Sequence, residues 1–324
     1  MSSLTQPAAL SNQALHLIVL PTEGCNFRCV YCYEDFGESR MAPGLIEGVK
    51  RLLTERFPEL RTLSLSWFGG EPLLAYDHII SVLHHVASLR RAFPGTTFYS
   101  DITTNGYSLR PALATTLLRL GIRAYQISLD GDRAIHDRWR RRADGSGTFD
   151  VIWRNLEHLH ARQESFQVTI RLHVTRENQD SLQALLIRSG VALEGDARFR
   201  FLIRPLAKLG SPRDESLPVL QGDEARVAVE GLQNLARFQG LLLHDNGGGS
   251  RPCYAARPNS FVIRADGSIN KCTVALADDR NHVGHIQPNG SITLDGRKLT
   301  PWLRGLWTGD AEALRCPRLG LPSP

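Results

Sequence analysis

Nothing at the start of this 324-residue sequence resembles a secretion signal: the first twenty residues carry neither a basic n-region nor an apolar run of the required length. No segment approaches the ~18–20 consecutive apolar residues that a membrane span requires. These absences predict a cytoplasmic chain with no membrane partner. Internal repeats and low-complexity tracts are missing too, so solenoid and array architectures are not expected. Cysteine is sparse, with six residues in the chain. In a cytoplasmic protein six thiols read as metal ligands or catalytic groups rather than as a disulfide framework. Excess charge is small, at +5, and its densest part is Arg138-Trp139-Arg140-Arg141-Arg142. A nucleic-acid patch is one reading of that run. A solvated loop or anion-binding arm is the preferred one, because no nucleic-acid motif accompanies it, and nucleic acid is not an expected partner.

The remaining composition is that of a soluble globular enzyme, 42% hydrophobic and 22% charged. The length suits one large domain, or a large domain with a small appendage. Three of the six thiols fall within eight residues, as Cys25-x3-Cys29-x2-Cys32, just after the apolar run Leu17-Ile18-Val19-Leu20. A loop leaving a strand can fold three thiolates around one inorganic centre. A closed zinc or iron–sulfur site takes four protein ligands, so three leave one metal position open for a substrate or cofactor. Two plainer readings stay open on spacing alone. One is a zinc knuckle with its fourth ligand elsewhere. The other is a redox pair, Cys29-Val30-Tyr31-Cys32, which leaves Cys25 idle.

Short β-rich runs alternate with amphipathic segments of helical length. The strands read Leu15–Leu20, Thr62–Phe68, Thr97–Thr103, Ala124–Leu129, Val168–Val174 and Phe199–Ile203. The helical segments read Leu45–Arg56, His78–Arg91, Pro111–Leu120, Phe149–Arg162 and Ser181–Arg188. Alternation repeated about six times predicts an α/β fold with a parallel sheet, doubly wound or a full or partial barrel, with chemistry at the C-terminal strand ends. The pattern stops near Pro205. Residues 206–250 read as a linker and one helix, Asp223–Gln239, closed by the flexible run Gly247-Gly248-Gly249-Ser250. From about residue 251 onward, Asn259–Ile263 and Ser268–Lys271 flank Asp266-Gly267, a hairpin signal within a small, mainly β second domain.

Polar motifs follow the strands. Trp67-Phe68-Gly69-Gly70-Glu71-Pro72 sets paired glycines and a carboxylate at the mouth of the second strand, which suits an ammonium group as well as an ordinary turn. Thr103-Thr104-Asn105-Gly106 ends the third strand and Ser128-Leu129-Asp130-Gly131 the fourth. Each is a weak signal alone; at successive strand ends they suggest a polar small-molecule site.

Taken together, Cys25-x3-Cys29-x2-Cys32 with Tyr31, Gly69-Gly70-Glu71-Pro72, Thr104-Asn105-Gly106 and Ser128-Leu129-Asp130-Gly131 resemble the radical S-adenosylmethionine (radical SAM) superfamily over about residues 14–205. The resemblance implies a partial (β/α)6 barrel. It implies a [4Fe-4S] cluster on Cys25, Cys29 and Cys32, whose open iron chelates SAM and whose electron, from an external flavodoxin- or ferredoxin-type donor, releases a 5′-deoxyadenosyl radical. By motif match Tyr31 packs near the adenine, and Gly69, Gly70 and Glu71 receive the methionine ammonium. Asn105, Ser128 and Asp130 belong to the cofactor-binding strand ends. Arg140, in His136-Asp137-x2-Arg140, approaches the SAM carboxylate, with Arg138, Arg141 and Arg142 as competitors.

The C-terminal part, residues 251–324, resembles the SPASM and twitch extensions of peptide-modifying members. Cys253-x13-Gly267-x4-Cys272 matches their opening, and Cys316 is the natural third ligand of an auxiliary [4Fe-4S] cluster. The full pattern fails, since two further cysteine positions fall at Ala313 and Pro322 and the next lies beyond Pro324. One three-cysteine auxiliary cluster is therefore expected, in a truncated or degenerate domain. The resemblance implies a maturase that oxidises or cross-links a ribosomal peptide or protein side chain. Few residues precede the first strand, so a separate leader-recognition protein or direct contact would deliver the peptide. One rival is a formylglycine-forming sulfatase maturase, though Thr273 stands where that family places an aspartate. Another is a non-catalytic iron–sulfur regulatory protein.

Overall fold

The computed structural model describes residues 11–34, 36, 40–210, 214–244 and 252–322. Two compact units divide it: Met1–Gly24, Asp35–Ser100 and Asn246–Pro324 form one, Cys25–Glu34 and Asp101–Asp245 the other. The glycine-rich run 247–250 lies outside the described residues. Among the described residues no helix is long and apolar enough to cross a membrane.

In the first unit β1 (Ala14–Val19) and β2 (Thr62–Trp67) pair in parallel, with α1 (Pro43–Arg56) as crossover and α2 (Tyr76–Ala92) following. β2 shows what kind of sheet this is. Leu63, Leu65 and Trp67 are fully buried, while Thr62, Ser64 and Ser66 alternate with them on the other face. A parallel strand packed by helices on both faces would be apolar throughout, so this alternation marks one face turned towards something polar. Pro43 opens α1 at a position where its missing N–H costs nothing, and Leu45, Ile46, Val49, Leu52 and Leu53 supply its buried stripe.

The expected hairpin is present as β8 (Ser260–Ile263) and β9 (Ser268–Asn270), turning at Gly267, whose φ of +88° favours glycine. β8 also pairs in parallel with β1, so the C-terminal segment extends the same sheet in the order β11-β10-β9-β8-β1-β2. Here β10 is His282–Ile286 and β11 is Ile292–Leu294. Two helices, α8 (Gly296–Thr308) and α9 (Ala311–Arg315), end this unit.

The second unit carries β4 (Ala124–Ser128), β5 (Gln167–Val174), β6 (Phe199–Pro205) and the two-residue β7 (Leu242–Leu243), all parallel. It begins in β3 (Thr97–Thr104), whose last four residues pair with β4. The connecting helices are α3 (Pro111–Arg119), α4 (Arg133–Trp139), α5 (Phe149–His160), α6 (Gln179–Ala192) and α7 (Gly222–Phe238). All six β-strand expectations of the alternating region agree with the structure to within two residues at each end. The short α4 was not expected, because seven residues with four polar or charged positions give no helical period. Its signal is Asp132, whose carboxylate caps Ile135 N–H at 3.2 Å.

Gly48, inside α1, tests how tightly the C-terminal segment packs. A Cβ there would stand 2.4 Å from the carbonyl oxygen of Gln287. Alanine in a solvated helix interior gains about 1 kcal/mol over glycine. Here backbone is in the way, and overpacking of about 1–3 kcal/mol decides the sign. Gly48→Ala is expected to lower the urea midpoint; an increase would show that this packing is loose.

Candidate active site

The cysteine loop of the second unit is tied down by backbone pairing. Arg28 N–H donates to Arg141 O and Val30 N–H to Trp139 O, both at 2.9 Å, and Ala143 N–H donates to Asn26 O at 2.9 Å. Phe27 and Arg142 form a β-bridge. The arginine-rich run is thus a strap along the loop that carries Cys25, Cys29 and Cys32, a role its composition did not disclose. Asn105, at the end of β3, adds a side-chain tie by donating to Asn26 Oδ1 at 2.8 Å.

Behind the loop lies a buried ionic centre. Asp130, just past β4, is 0% exposed. Its Oδ2 accepts a hydrogen bond from Tyr31 OH, which in turn accepts one from Arg140 Nη1. Arg140 Nη1 lies 3.8 Å from the same carboxylate. Asp130 Oδ1 accepts from His173 N–H at 3.1 Å and from its ring Nδ1 at 2.9 Å. Burial alone would raise the Asp130 carboxyl, but His173, Arg140 and the Tyr31 hydroxyl outweigh it and hold the group below the usual carboxylate range. Asn178 completes the frame, bridging Asp130 O and His173 O. Asp130 therefore positions Tyr31 and Arg140 from behind. His173 and Asn178 were missed in the sequence; a histidine inside the apolar run Val168–Val174 was the available signal.

Ser128 differs from Asp130. It is half-buried at the end of β4 on the polar face, and its hydroxyl has no hydrogen-bond partner among the described residues. Desolvation pushes the Cys29 thiol up and takes Cys32 to about 11.

In the first unit, Gly69 and Gly70 lie against the chain leading to Cys25. A Cβ on Gly69 (φ +115°) would stand 2.2 Å from Thr22 O, and one on Gly70 2.5 Å from Glu23 O and Gly24 O. The paired glycines are thus required by a close backbone approach. Glu71 is buried, with its N–H on Gly24 O and Oε1 accepting from Leu73 N–H at 2.9 Å.

The second trio lies wholly within this unit. Cys253 N–H donates to Leu314 O in α9 at 2.8 Å, and Cys316 directly follows that helix. Cys272 lies two residues past β9, its N–H held at 2.8 Å by the buried Asn281, whose amide also donates to Cys272 O and Ala275 O. Burial, then the neighbouring Cys272 and Cys316 sulfurs, raise the Cys253 thiol, so the three side chains share one electrostatic neighbourhood. None of the six cysteines forms a disulfide. Among the described residues no three His, Cys, Asp or Glu side chains are grouped to hold a single metal ion. The half-buried thiols of each trio supply the soft sulfur donors that an iron–sulfur cluster takes. The donor set fits the group that the resemblance implies.

The family model described as Radical SAM superfamily matches residues 19–186. The chain belongs to the radical SAM superfamily. Members of this superfamily bind a [4Fe-4S] cluster and SAM. A cysteine-type anaerobic sulfatase-maturating enzyme of Clostridium novyi (strain NT) is 26% identical over 302 residues, 85% of this chain and 77% of that protein. A serine-type anaerobic sulfatase-maturating enzyme of Klebsiella aerogenes is 28% identical over 167 residues, 49% of this chain; the chain spans only 40% of that relative's length. The solved structure of native anSMEcpe with bound AdoMet and Kp18Cys peptide is similar over 88% of this chain and 80% of that one, with TM-score 0.66 at 19% identity. That likeness supports the fold: a partial (β/α)6 barrel with a β-rich C-terminal region.

Asp130→Asn keeps the shape of this radical SAM chain's ionic centre and removes its charge, leaving Arg140 buried without a counter-ion. Breaking a buried pair costs about 3–5 kcal/mol, so urea denaturation at neutral pH should show a loss of that order. A carboxyl held low stabilises the fold above its unfolded pKa of about 3.9 and loses that contribution as pH falls below it. The gap between wild type and variant should therefore narrow below about pH 4. A pH-independent gap would refute the ionic role.

Proposed function

We propose that this chain is a radical SAM enzyme that removes hydrogen from a side chain of a peptide or protein, giving an oxidised or cross-linked product. The observation that carries the reading is the second cysteine trio: Cys253, Cys272 and Cys316 lie in one unit, and Cys253 N–H donates to Leu314 O, two residues before Cys316. When bound, the first cluster and SAM supply the electron and the 5′-deoxyadenosyl radical that takes the hydrogen atom, and a second cluster supplies an acceptor for the electron left behind. The chain's own residues hold and orient. Cys25, Cys29 and Cys32 would ligate the first cluster; Tyr31 and Arg140, fixed from behind by Asp130, would align SAM with the Ser128 hydroxyl. Gly69, Gly70 and Glu71 would receive the methionine ammonium. A peptide substrate and an external one-electron donor are the partners this reading requires.

A narrower reading, oxidation of a cysteine or serine to formylglycine, is favoured by the two sulfatase-maturating relatives. Against it, Thr273 follows Cys272 where an aspartate is expected. Thr273 is occupied with Tyr254, its N–H donating to Tyr254 OH at 2.9 Å and the two hydroxyls lying 2.8 Å apart.

Anaerobically reconstituted protein should contain about eight irons per chain and form 5′-deoxyadenosine from SAM; about four irons would remove the auxiliary cluster. Cys32→Ala should abolish 5′-deoxyadenosine formation. Cys272→Ala should lower iron by about four and block product while 5′-deoxyadenosine still forms. Absence of SAM cleavage by the wild type would reject catalysis in favour of an iron–sulfur regulatory role. Conversion of a cysteine- or serine-bearing sulfatase peptide to formylglycine, seen by mass, would select the narrower reading.

A further inference from the structure

Of the chain's four lysines, Lys50 and Lys298 meet a carboxylate and Lys208 is exposed. Lys271 differs from all three. It is 0% exposed, and among the described residues its ammonium meets no carboxylate. Lysine is almost never fully buried unless its charge is met. Here Nζ donates to Arg257 O and Ser260 O, each at 2.6 Å, and lies 5.0 Å from the centre of the Phe261 ring. Two carbonyl dipoles and a ring face stabilise the cation without neutralising it.

Both ends of this residue are tied to the second cysteine trio. Its backbone precedes Cys272, and one acceptor, Asn281 Oδ1, takes Lys271 N–H at 2.9 Å and Cys272 N–H at 2.8 Å. Its Nζ closes on Arg257, just past the short 3-10 turn Tyr254–Ala256 that Cys253 opens. In that turn Ala256 N–H donates to Cys253 O at 3.0 Å. Burial pulls the ammonium down to about 7, and the charge of Cys253 acts against that pull. The first trio also has a buried cation near it, Arg140, but Asp130 balances that charge. Backbone donors to sulfur do not separate the two sites: Phe27 N–H reaches Cys25 Sγ at 3.3 Å and Val274 N–H reaches Cys272 Sγ at 3.4 Å. An unbalanced buried cation does separate them. A chain that keeps such a charge near a set of thiols has left the counter-charge to what the thiols hold.

We propose that the Lys271 ammonium is the counter-charge of the auxiliary cluster on Cys253, Cys272 and Cys316, and that it raises the reduction potential of that cluster. The proposal rests on the reading of this trio as cluster ligands. A [4Fe-4S]2+ core on three thiolates is an anion, and an added electron makes it more negative; net charge is one of the quantities that set such potentials. A fixed cation favours the more negative, reduced form, and inside the protein it is little screened by solvent or salt. The reduction places one electron on iron; no bond forms or breaks, and Lys271 keeps its proton. For the proposed reaction the consequence is a stronger acceptor for the electron left on the peptide after hydrogen abstraction.

The full chain carrying Cys25→Ala, Cys29→Ala and Cys32→Ala serves as parent, so that bound iron belongs to the second trio alone. After anaerobic reconstitution it should hold about four irons. Dithionite supplies the electron, redox mediators set the potential, and the reduced cluster is counted by electron paramagnetic resonance. Lys271→Gln keeps N–H donors for the two carbonyls and removes the charge; Lys271→Arg keeps the charge. At a fixed potential the ratio of reduced to oxidised cluster should fall at least tenfold in Lys271→Gln, which is about 59 mV for one electron. In Lys271→Arg it should stay within threefold of the parent. Loss of iron from Lys271→Gln alone also supports the proposal, because the cluster anion then needs the charge to be held. An unchanged ratio in Lys271→Gln would overturn it, as would an equal shift, or an equal loss of iron, in both variants, since Lys271 would then be only a structural tie. A parent without iron rejects the auxiliary cluster itself, whereas failure of the unsubstituted chain to form 5′-deoxyadenosine rejects the enzymatic reading and leaves these potentials untouched.

Discussion

The ionised carboxylate of Asp130 is the constraint on which the second unit's chemistry depends. One carboxylate oxygen takes the hydroxyl of Tyr31 and the other takes His173, while Arg140 lies within ion-pair distance. A buried charge survives only where its hydrogen bonds and counter-charge are complete. Meeting that condition brings together four stretches far apart in sequence: the cysteine loop, the end of β4, the strap after α4, and β5. Tyr31 sits between Cys29 and Cys32, so fixing its hydroxyl also fixes the path of the loop that presents those thiols.

In the first unit the controlling constraint is steric. Carbonyl oxygens of Thr22, Glu23 and Gly24 lie where any side chain on residues 69 and 70 would have to go. Two glycines let the strand end approach the chain that leads into Cys25, and Glu71 then closes its own turn through Leu73 N–H. The motif that the resemblance ties to the methionine ammonium is thus also a packing requirement. Nearby in the same unit, one buried asparagine, Asn281, satisfies the backbone on either side of Cys272, so the second trio is framed by hydrogen bonds as the first is.

The alternation of strands and helices was legible in the sequence because apolar period is a local property. The cysteine spacings and strand-end motifs were legible for the same reason, and they sufficed to place the chain in its superfamily. The hairpin at Asp266-Gly267 was readable from its turn chemistry. By contrast, α4 was too short to show a period, and the role of Arg138–Arg142 was hidden because a strap is made by backbone hydrogen bonds that any side chains permit.

The sequence by itself determined the element order, the two cysteine trios and the family, since each is written within a few consecutive residues. Only the tertiary structure decided which polar residues are partnered. It set Asp130, His173 and Asn178 behind Tyr31 and Arg140, and joined β8 to β1. Those outcomes depend on strand register and on contacts between residues tens of positions apart, and the desolvation that gives them their energy exists only once the chain has closed around them.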